Sequence, residues 1–222
     1  MPPSTFFTRF GLLVARGFFD AEFCARLRAE IRAASTRPAE IRTGGANYAV
    51  NEAIRRVGWA DVSSVAVASV ESRLLAFKPR LEAHFALSLH HHQTPQFLCY
   101  RPGDFYQPHR DSSIEPDADP VVQERSVSIS IFLNAESAEP APDSYGGGAL
   151  TFYRLVDDPR AKSIGLPLIG EEGLLVAFRA DTIHSVEPVT HGERYTVVTW
   201  YAGGPPAAAT FLSGAPTAPP PA

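Results

Sequence analysis

The chain has 222 residues, of which 45% are hydrophobic and 20% charged, which predicts one globular domain, or one with a small appendage, with a real core. Its formal net charge of −4 argues against a broad basic surface for nucleic acid, and no apolar run is long enough to predict a membrane span. The first 20 residues lack the pattern of a secretory signal, and two cysteines in apolar contexts favour reduced core thiols, so we expect a cytoplasmic protein.

The N-terminal region predicts a helix that follows a short strand or turn at residues 12–19. Asp20 is placed to cap this helix, which should continue to about residue 35. Its apolar face is formed by Phe23, Leu27, Ile31 and Ala34. Charged residues should lie largely outside that face, namely Arg26, Arg28, Glu30 and Arg32.

A second helix is predicted to begin at Asp61 or Ser63. Its apolar positions are Val67, Val70, Leu74 and Leu75. Pro79 should either kink this helix or start another that runs to Phe85, because proline cannot donate a backbone N–H in a helix interior. Each predicted helix has one apolar face, which we expect to pack on the outside of a sheet.

Three segments between and after these helices carry other predictions. Residues 38–47 predict a loop, since Gly44 and Gly45 supply conformational freedom. Residues 48–59 are compatible with a mobile lid near the mouth of a pocket or with a plain surface connection. The run of His90, His91 and His92 predicts a solvated loop, because adjacent side chains point apart and cannot all bind one ion.

From residue 96 onward the pattern predicts short strands at 96–101, 105–109, 126–133, 149–154, 173–179, 183–187 and 193–202. Such a run of antiparallel strands favours a mainly β fold of the α+β class, a double-stranded β-helix or jelly roll. The N-terminal helices would pack on its outer face, and its mouth would bind small ligands. Loops 112–124 and 135–146 are expected to choose the substrate. Residues 1–203 would form this domain, and residues 204–222, rich in proline and alanine, a flexible tail.

His109 and Asp111 are two residues apart, so in an extended segment their side chains leave the same face. His184, between two strand-like runs, is the best candidate for a third ligand. Two histidines and one carboxylate form the facial triad of non-haem Fe(II) oxygenases, which leaves coordination positions open. A structural zinc site would want more cysteine and histidine ligands.

Arg194 opens the last predicted strand, whose alternation directs Arg194, Thr196 and Val198 to one side. A dicarboxylate that chelates iron at one end needs a fork-shaped cation at the other, and a guanidinium suits that purpose. The sequence therefore predicts a metal centre with an arginine deeper in the same cavity.

The arrangement of His109, Asp111, His184 and Arg194 resembles that of the 2-oxoglutarate- and Fe(II)-dependent dioxygenases, most closely the prolyl 4-hydroxylase-like branch. Residues 100–111 are similar to its Tyr-x-x-Gly-x-x-Tyr-x-x-His-x-Asp pattern, residues 131–134 to its Tyr-Leu-Asn strand, and residues 147–152 to its Gly-Gly-x-Leu strand. Residues 194–201 resemble its last core strand. The resemblance covers about residues 95–202 and, weakly, 20–90.

The resemblance implies Fe(II) held by His109, Asp111 and His184, with 2-oxoglutarate and O2 as co-substrates and ascorbate as an optional reductant. Arg194 would bind the far carboxylate of 2-oxoglutarate, with hydroxyl donors from Tyr100 and Thr196. The substrate-binding residues would be Tyr106, Trp200 and Arg110, the last of which points away from the metal by alternation.

The implied reaction hydroxylates an unactivated C–H bond, most simply in a prolyl residue of a peptide or protein, and releases succinate and CO2. A free amino acid or small metabolite is an alternative substrate, and a non-catalytic cupin-like metal-binding or sensor module is an alternative class. The nucleic-acid demethylating branch is disfavoured, because its second arginine is replaced here by Trp200. The sequence leaves the oligomeric state open.

Overall fold

The computed structural model of the chain describes residues 4–44, 47–161 and 163–205. The predicted tail, residues 204–222, lies outside this range apart from its first two residues. The helices are α1 (Ser4–Thr8), α2 (Ala21–Ala33), α3 (Ser64–Phe85) and α4 (Pro120–Gln123), with a 3-10 turn at Pro159–Ala161. Among these described helices, none combines the length and the hydropathy that a membrane crossing requires.

Seventeen strands lie in the described residues. In chain order they are β1 (Leu13–Ala15), β2 (Thr36–Pro38), β3 (Ile41–Gly44), β4 (Asn47–Ala49), β5 (Arg55–Arg56), β6 (Gly58–Ala60), β7 (Ser88–His92), β8 (Gln96–Tyr100), β9 (Phe105–His109), β10 (Arg125–Phe132), β11 (Tyr145–Gly147), β12 (Leu150–Tyr153), β13 (Gly165–Leu168), β14 (Leu175–Arg179), β15 (His184–Val186), β16 (Val189–Gly192) and β17 (Arg194–Gly204). All seven strands predicted from residue 96 onward are confirmed, with small shifts at their ends.

Two main sheets carry the fold. The large sheet has the order β1-β14-β10-β17-β8-β6-β2, with β7 pairing the far end of β17, and the small sheet has the order β13-β12-β15-β9-β5. Two ribbons, β11-β16 and β3-β4, complete the pairing, and every pairing between these strands is antiparallel. The predicted mainly β class is confirmed.

Two apolar clusters separate the fold into layers. The first joins the apolar faces of α2 and α3 to one face of the large sheet, where β10 contributes Val127, Ile129 and Ile131. The second includes Val14 and Val176 from the large sheet and Leu150 and Phe152 from the small sheet, so the two sheets share a core on the other side. The two predicted helices, α2 and α3, therefore pack on the outer face of the large sheet, whereas Phe7 of α1 belongs to the second cluster.

The caps of the two long helices follow the sequence signals. Asp20 accepts a hydrogen bond from the Phe23 amide, and Ser63 accepts one from the Ala66 amide, which satisfies a free donor of each first turn. Helix α3 continues through Pro79 to Phe85, so no separate helix starts there.

Two residues on the helices differ from the prediction. Leu75 was expected in the apolar face of α3 but is 57% exposed, because the buried side is carried by Leu74, Leu81 and Phe85. Arg28 was expected outside the apolar face of α2 but is only 6% exposed. It remains buried because its guanidinium donates to the Leu133 carbonyl at 2.5 Å and pairs with Glu172.

Two predicted loops are strands instead. Residues 38–47 contribute β3, which pairs β4 as a hairpin, and the histidine run lies in β7, which pairs the far end of β17. In that strand His90 and His91 stay exposed. Both segments acquire strand structure from a partner that local sequence does not reveal.

Neighbouring leucines on α3 offer a test of this layering. Leu74 is fully buried against the large sheet whereas Leu75 is more than half exposed. Leu74→Ala should lower the free energy of unfolding by about 2–5 kcal/mol, and Leu75→Ala should change it by less than about 0.5 kcal/mol. Urea unfolding followed by circular dichroism measures both. Equal losses for the two variants would contradict the assigned helix face.

Candidate metal centre

The small sheet brings the two predicted histidines face to face. Strand β9 ends at His109 and β15 begins at His184, and these two residues are paired in register. Their ring centroids are 4.2 Å apart. Asp111 follows in a turn, where its amide and that of Ser112 both donate to the Ala180 carbonyl at 2.9 and 3.0 Å. That turn folds the carboxylate back toward the two imidazoles.

The three side chains converge on one point. The Nε2 atom of His109 is 3.6 Å from one carboxylate oxygen of Asp111, and the Nε2 atom of His184 is 3.6 Å from the other. One ligand atom from each residue lies within 4.8 Å of the others. The structure therefore assembles two nitrogen donors and a carboxylate, the ligand set that suits a non-haem Fe(II) site.

Hydrogen bonds hold each donor in the orientation a metal requires. The Nδ1 atom of His109 lies 2.8 Å from the Gln107 carbonyl, and that of His184 lies 3.0 Å from the Thr182 carbonyl. A carbonyl can only accept, so Nδ1 carries the proton and Nε2 presents its lone pair to the centre. Ser128 donates to Asp111 at 2.7 Å and fixes the carboxylate.

The protonation states also fit a cation. Burial lowers the pKa of His184 to about 4, with a further contribution from His109, so its imidazole is neutral at physiological pH. Burial by itself would raise the pKa of Asp111, but His184, His109 and Arg125 together bring it below the usual range. A neutral His184 imidazole beside an ionised carboxylate suits a divalent metal, which binds the deprotonated forms of its ligands.

An inner cavity extends from this centre between the two sheets. We define it by the triad together with Tyr100, Arg194 and Thr196, all of which line it. Tyr100 and Arg194 are register partners on β8 and β17, and Thr196 follows Arg194 on the same side of β17, as the predicted alternation requires. The triad and the predicted arginine therefore share one space.

Arg194 is 1% exposed and forms no ion pair within 4 Å in the described part of the chain. Its Nε has no hydrogen-bond partner there, and an Nη1 atom lies 3.4 Å from the Thr196 hydroxyl. Three aromatic rings surround its guanidinium, at 4.8 Å for Phe132, 5.0 Å for Tyr100 and 6.0 Å for Tyr145. A buried cation without an anion is costly, so this end of the cavity fits a ligand carboxylate.

Glycine makes room for Arg194. Gly148 has a φ of +64°, a region that favours glycine, and a Cβ on it would lie 2.9 Å from the Arg194 Cδ. The second glycine of the Gly147-Gly148 motif is therefore explained by the close approach of the Arg194 side chain. Leu150, two residues later, lines the inner cavity itself.

A wider outer cleft continues from the inner cavity. It is defined by Arg42, Tyr48, Arg110 and Ser113, and it shares Arg55, Tyr106, Asp111 and Trp200 with the inner cavity. The outer cleft is the larger of the two spaces, and through the residues that both share it offers a larger molecule a route to the metal centre.

The three predicted substrate residues lie around the cleft. Tyr106 stacks on His109 at 3.5 Å with the ring planes 17° apart. Trp200 lies under the Arg125 guanidinium at 3.8 Å. Arg110 lines only the outer cleft and donates to the Asp181 carbonyl at 2.9 Å, so it points away from the triad.

The loops predicted to choose the substrate differ in position. Loop 112–124 meets the β3-β4 hairpin at the outer cleft, where Arg42 pairs with Glu115 at 2.7 Å and the Tyr48 hydroxyl donates to Asp119 at 2.9 Å. Loop 135–146 lines neither space, and its Asp143 pairs instead with Arg32 of α2 at 2.5 Å. Only the first loop is placed to contact a substrate.

Four residues of the site were not predicted from the sequence. Ser128 was placed on the hydroxyl face of its strand, but nothing local indicated Asp111 as its partner. Arg125 opens the same strand, and Arg55 lies in the segment for which two interpretations stayed open. Tyr145 stands at the end of a predicted loop, and burial raises its pKa to about 12 against the opposing effect of Arg194.

Comparison with known families matches residues 95–202 to the model described as the 2OG-Fe(II) oxygenase superfamily. The match spans 108 of the 222 residues, and over this stretch the chain resembles the superfamily. Its members use Fe(II), 2-oxoglutarate and O2, which agrees with the cofactors expected from the sequence. The matched residues contain the whole triad and Arg194.

Individual relatives of the chain are named as hydroxylases. A PKHD-type hydroxylase of Synechococcus sp. (strain JA-2-3B'a(2-13)) is 29% identical over 142 residues, which are 63% of this chain and 53% of that protein. The chain thus spans about half the length of that relative.

Two solved structures share the fold. A Pseudomonas putida prolyl-4-hydroxylase has a TM-score of 0.64 and 22% identity, over 86% of this chain and 92% of that one. A Trichoplax adhaerens prolyl hydroxylase, in complex with a hypoxia inducible factor peptide fragment, has a TM-score of 0.67 and 17% identity, over 90% and 86%.

The Ser128 contact predicts a measurable effect on the metal centre. Ser128→Ala removes the hydrogen bond that orients Asp111, and loss of such an outer contact typically costs 10- to 100-fold in metal affinity. Titration with Mn(II) by calorimetry measures this without any turnover. Ser130→Ala is the control, since Ser130 lines the inner cavity two residues along the same strand. Unchanged affinity in Ser128→Ala would show that the carboxylate is held by other contacts.

Proposed function

We propose that this chain is an Fe(II)- and 2-oxoglutarate-dependent enzyme that hydroxylates an unactivated C–H bond, most simply in a prolyl residue of a peptide or protein. The observation that carries the proposal is the buried Arg194, which makes no ion pair within 4 Å in the described residues and lies in the same cavity as His109, Asp111 and His184. A metal site alone would not need that cation. A metal site joined to a carboxylate pocket fits a chelating dicarboxylate.

Each residue has a separate task in this proposal. His109, Asp111 and His184 hold Fe(II), and Arg194, Thr196 and Tyr100 bind the far carboxylate of 2-oxoglutarate. When bound, Fe(II) and 2-oxoglutarate activate O2 for attack on a C–H bond, with release of succinate and CO2. Apolar side chains also line this space, among them Leu98, Ile129 and Phe178, and would limit the access of bulk water to the reaction.

The substrate would enter through the outer cleft, in contact with Tyr106, Trp200 and Arg110. A peptide is favoured over a free amino acid or small metabolite because the cleft is the larger of the two spaces and open toward the metal centre. The hydroxylase names of the relatives and the peptide bound to the Trichoplax protein support the same choice. A non-catalytic cupin-like sensor would bind metal without producing succinate.

We also propose that the paired sheets form a double-stranded β-helix, or jelly roll, over residues 1–203. The antiparallel order of the strands and the likeness to two prolyl hydroxylase structures support this assignment. The two buried, free thiols of Cys24 and Cys99 are compatible with a reducing cytoplasm as the working compartment.

Succinate formation tests the proposed class. The chain with Fe(II), 2-oxoglutarate and ascorbate should convert 2-oxoglutarate to succinate. At least one proline-containing peptide in a screen should increase the rate of this conversion. Asp111→Ala and His184→Ala should each abolish this conversion because a ligand is lost. Succinate is measured by mass spectrometry. Metal binding without succinate, across a broad peptide and amino-acid screen, would favour the sensor alternative.

Arg194 predicts a separable effect on the co-substrate. Arg194→Met keeps the volume of the side chain but removes the charge, and loss of a charge-assisted hydrogen bond should raise the KM for 2-oxoglutarate about tenfold or more. Mn(II) affinity should stay unchanged. Arg179→Met is the control, because Arg179 also lies on the large sheet but donates to the Phe85 carbonyl outside both spaces. An unchanged KM in Arg194→Met would remove Arg194 from the carboxylate pocket.

A further inference from the structure

The outer cleft is positively charged although the chain is acidic overall. Its lining includes four arginines, Arg42, Arg55, Arg110 and Arg125, against the carboxylates of Glu40 and Asp111, while the whole chain has a net charge of −4. Asp111 already faces the two histidines of the metal centre. A concave surface with an excess of one sign of charge attracts ligands of the other sign.

Three of these arginines are already committed elsewhere. Arg42 pairs with Glu115, and Arg110 donates to the Asp181 carbonyl outside the inner cavity. Arg125 donates to the Gln93 side chain at 2.8 Å and to the Asp111 carbonyl at 3.1 Å, and it covers the Trp200 ring. These contacts use the guanidinium groups to hold the walls of the cleft.

Arg55 is different because it faces both spaces without an anionic partner. It lines the inner cavity and the outer cleft, and in the described chain it forms no ion pair within 4 Å. Its Nη1 donates to the Glu40 carbonyl at 3.1 Å, whereas its Nε is buried with no hydrogen-bond partner. A half-buried guanidinium with a free donor is suited to a carboxylate.

The position of Arg55 relates it to the reacting atoms. Its guanidinium lies 4.8 Å from the Tyr106 ring centroid, and that ring stacks on His109. Strand β5 is paired with β9 so that Arg55 and Tyr106 are opposite each other. One aromatic ring therefore separates Arg55 from the metal centre, and a group bound to Arg55 would lie within one or two residues of the oxidised carbon.

We propose that the substrate presents a carboxylate next to the carbon that is oxidised, and that Arg55 binds this carboxylate and thereby determines substrate specificity. The oxidation of that carbon rests on the proposed function, whereas the binding of the carboxylate by Arg55 can be measured without any reaction. Two sources share this chemistry, an acidic side chain that flanks the target proline and a terminal α-carboxylate. Arg55 is distinct from Arg194, which serves the co-substrate at the other end of the inner cavity.

Peptide binding without turnover tests the proposal. Fluorescein-labelled peptides with one proline, flanked by Asp, Asn or Lys, are titrated by anisotropy against the full chain with Mn(II) and 2-oxoglutarate. A neutral peptide that ends in a free proline carboxylate, with its amide as the matched probe, separates the two sources. One of the carboxylate probes should bind about tenfold more tightly than its neutral match, and added NaCl should reduce the difference.

The variants assign the effect to Arg55. Arg55→Gln should remove that tenfold preference while neutral probes change less than twofold, and Arg55→Lys should restore part of it. Arg80→Gln removes the same charge from a guanidinium 5.3 Å from the Phe77 ring on α3, outside both spaces. Equal binding of carboxylate and neutral probes, equal losses in Arg55→Gln and Arg80→Gln, or no binding of any carboxylate probe would each overturn the proposal.

The succinate assay distinguishes the two levels of inference. If carboxylate probes depend on Arg55 but no succinate forms, the proposed reaction is wrong and the anionic site stands. If succinate forms with peptides that bind independently of Arg55, the reaction stands and the role of Arg55 is wrong.

Discussion

The register between β9 and β15 is the constraint on which the site depends. Because His109 and His184 are directly paired, two imidazoles 75 residues apart meet without any loop having to place them. A shift of one residue would turn one ring to the opposite face of the sheet. The turn pinned on the Ala180 carbonyl then adds Asp111. Rigid antiparallel pairing therefore supplies the precision that metal ligation needs.

The buried charge of Arg194 explains why the inner cavity suits a ligand that has a carboxylate at one end. Arg194 is buried among aromatic rings and makes no ion pair within 4 Å in the described residues, so its charge is unfavourable unless a carboxylate compensates it. Asp111, in contrast, lies at the other end, with the Nε2 atoms of His109 and His184 each 3.6 Å from one of its carboxylate oxygens. The two ends of the cavity thus suit ligands of opposite charge, a metal cation at the triad and a carboxylate at Arg194. A molecule that bridges a metal and a guanidinium satisfies both.

Sequence reasoning recovered what alternation and spacing encode. Seven of the ten strands from residue 96 onward and the shared side of Arg194 and Thr196 follow from a period of two. The spacing of His109 and Asp111 indicated the pair, although a turn after β9 rather than a continued strand brings Asp111 to the centre. Sequence reasoning did not recover contacts made between distant segments. Nothing near Arg28 indicates Glu172, nothing near Ser128 indicates Asp111, and β3, β5 and β7 are strands because of their partners. Arg55 was not predicted for the same reason, since the pairing of β5 with β9 is what places it beside Tyr106.

The outer face of the large sheet also contributes to the site, although it contains no ligand. Asn134 donates to the Glu193 carbonyl at 2.8 Å and accepts from the Tyr195 amide at 3.0 Å, which clamps both neighbours of Arg194. The Tyr195 hydroxyl bonds Glu193 and accepts from Arg32 of α2 at 3.1 Å.

Helix α2 thereby anchors the start of β17 from behind, while Arg194 itself points into the inner cavity. Because the backbone on both sides of Arg194 is fixed, its guanidinium can remain in an apolar surrounding that would otherwise favour its escape toward water. The helix layer, predicted only as packing for the sheet, is therefore part of what keeps a buried cation in position.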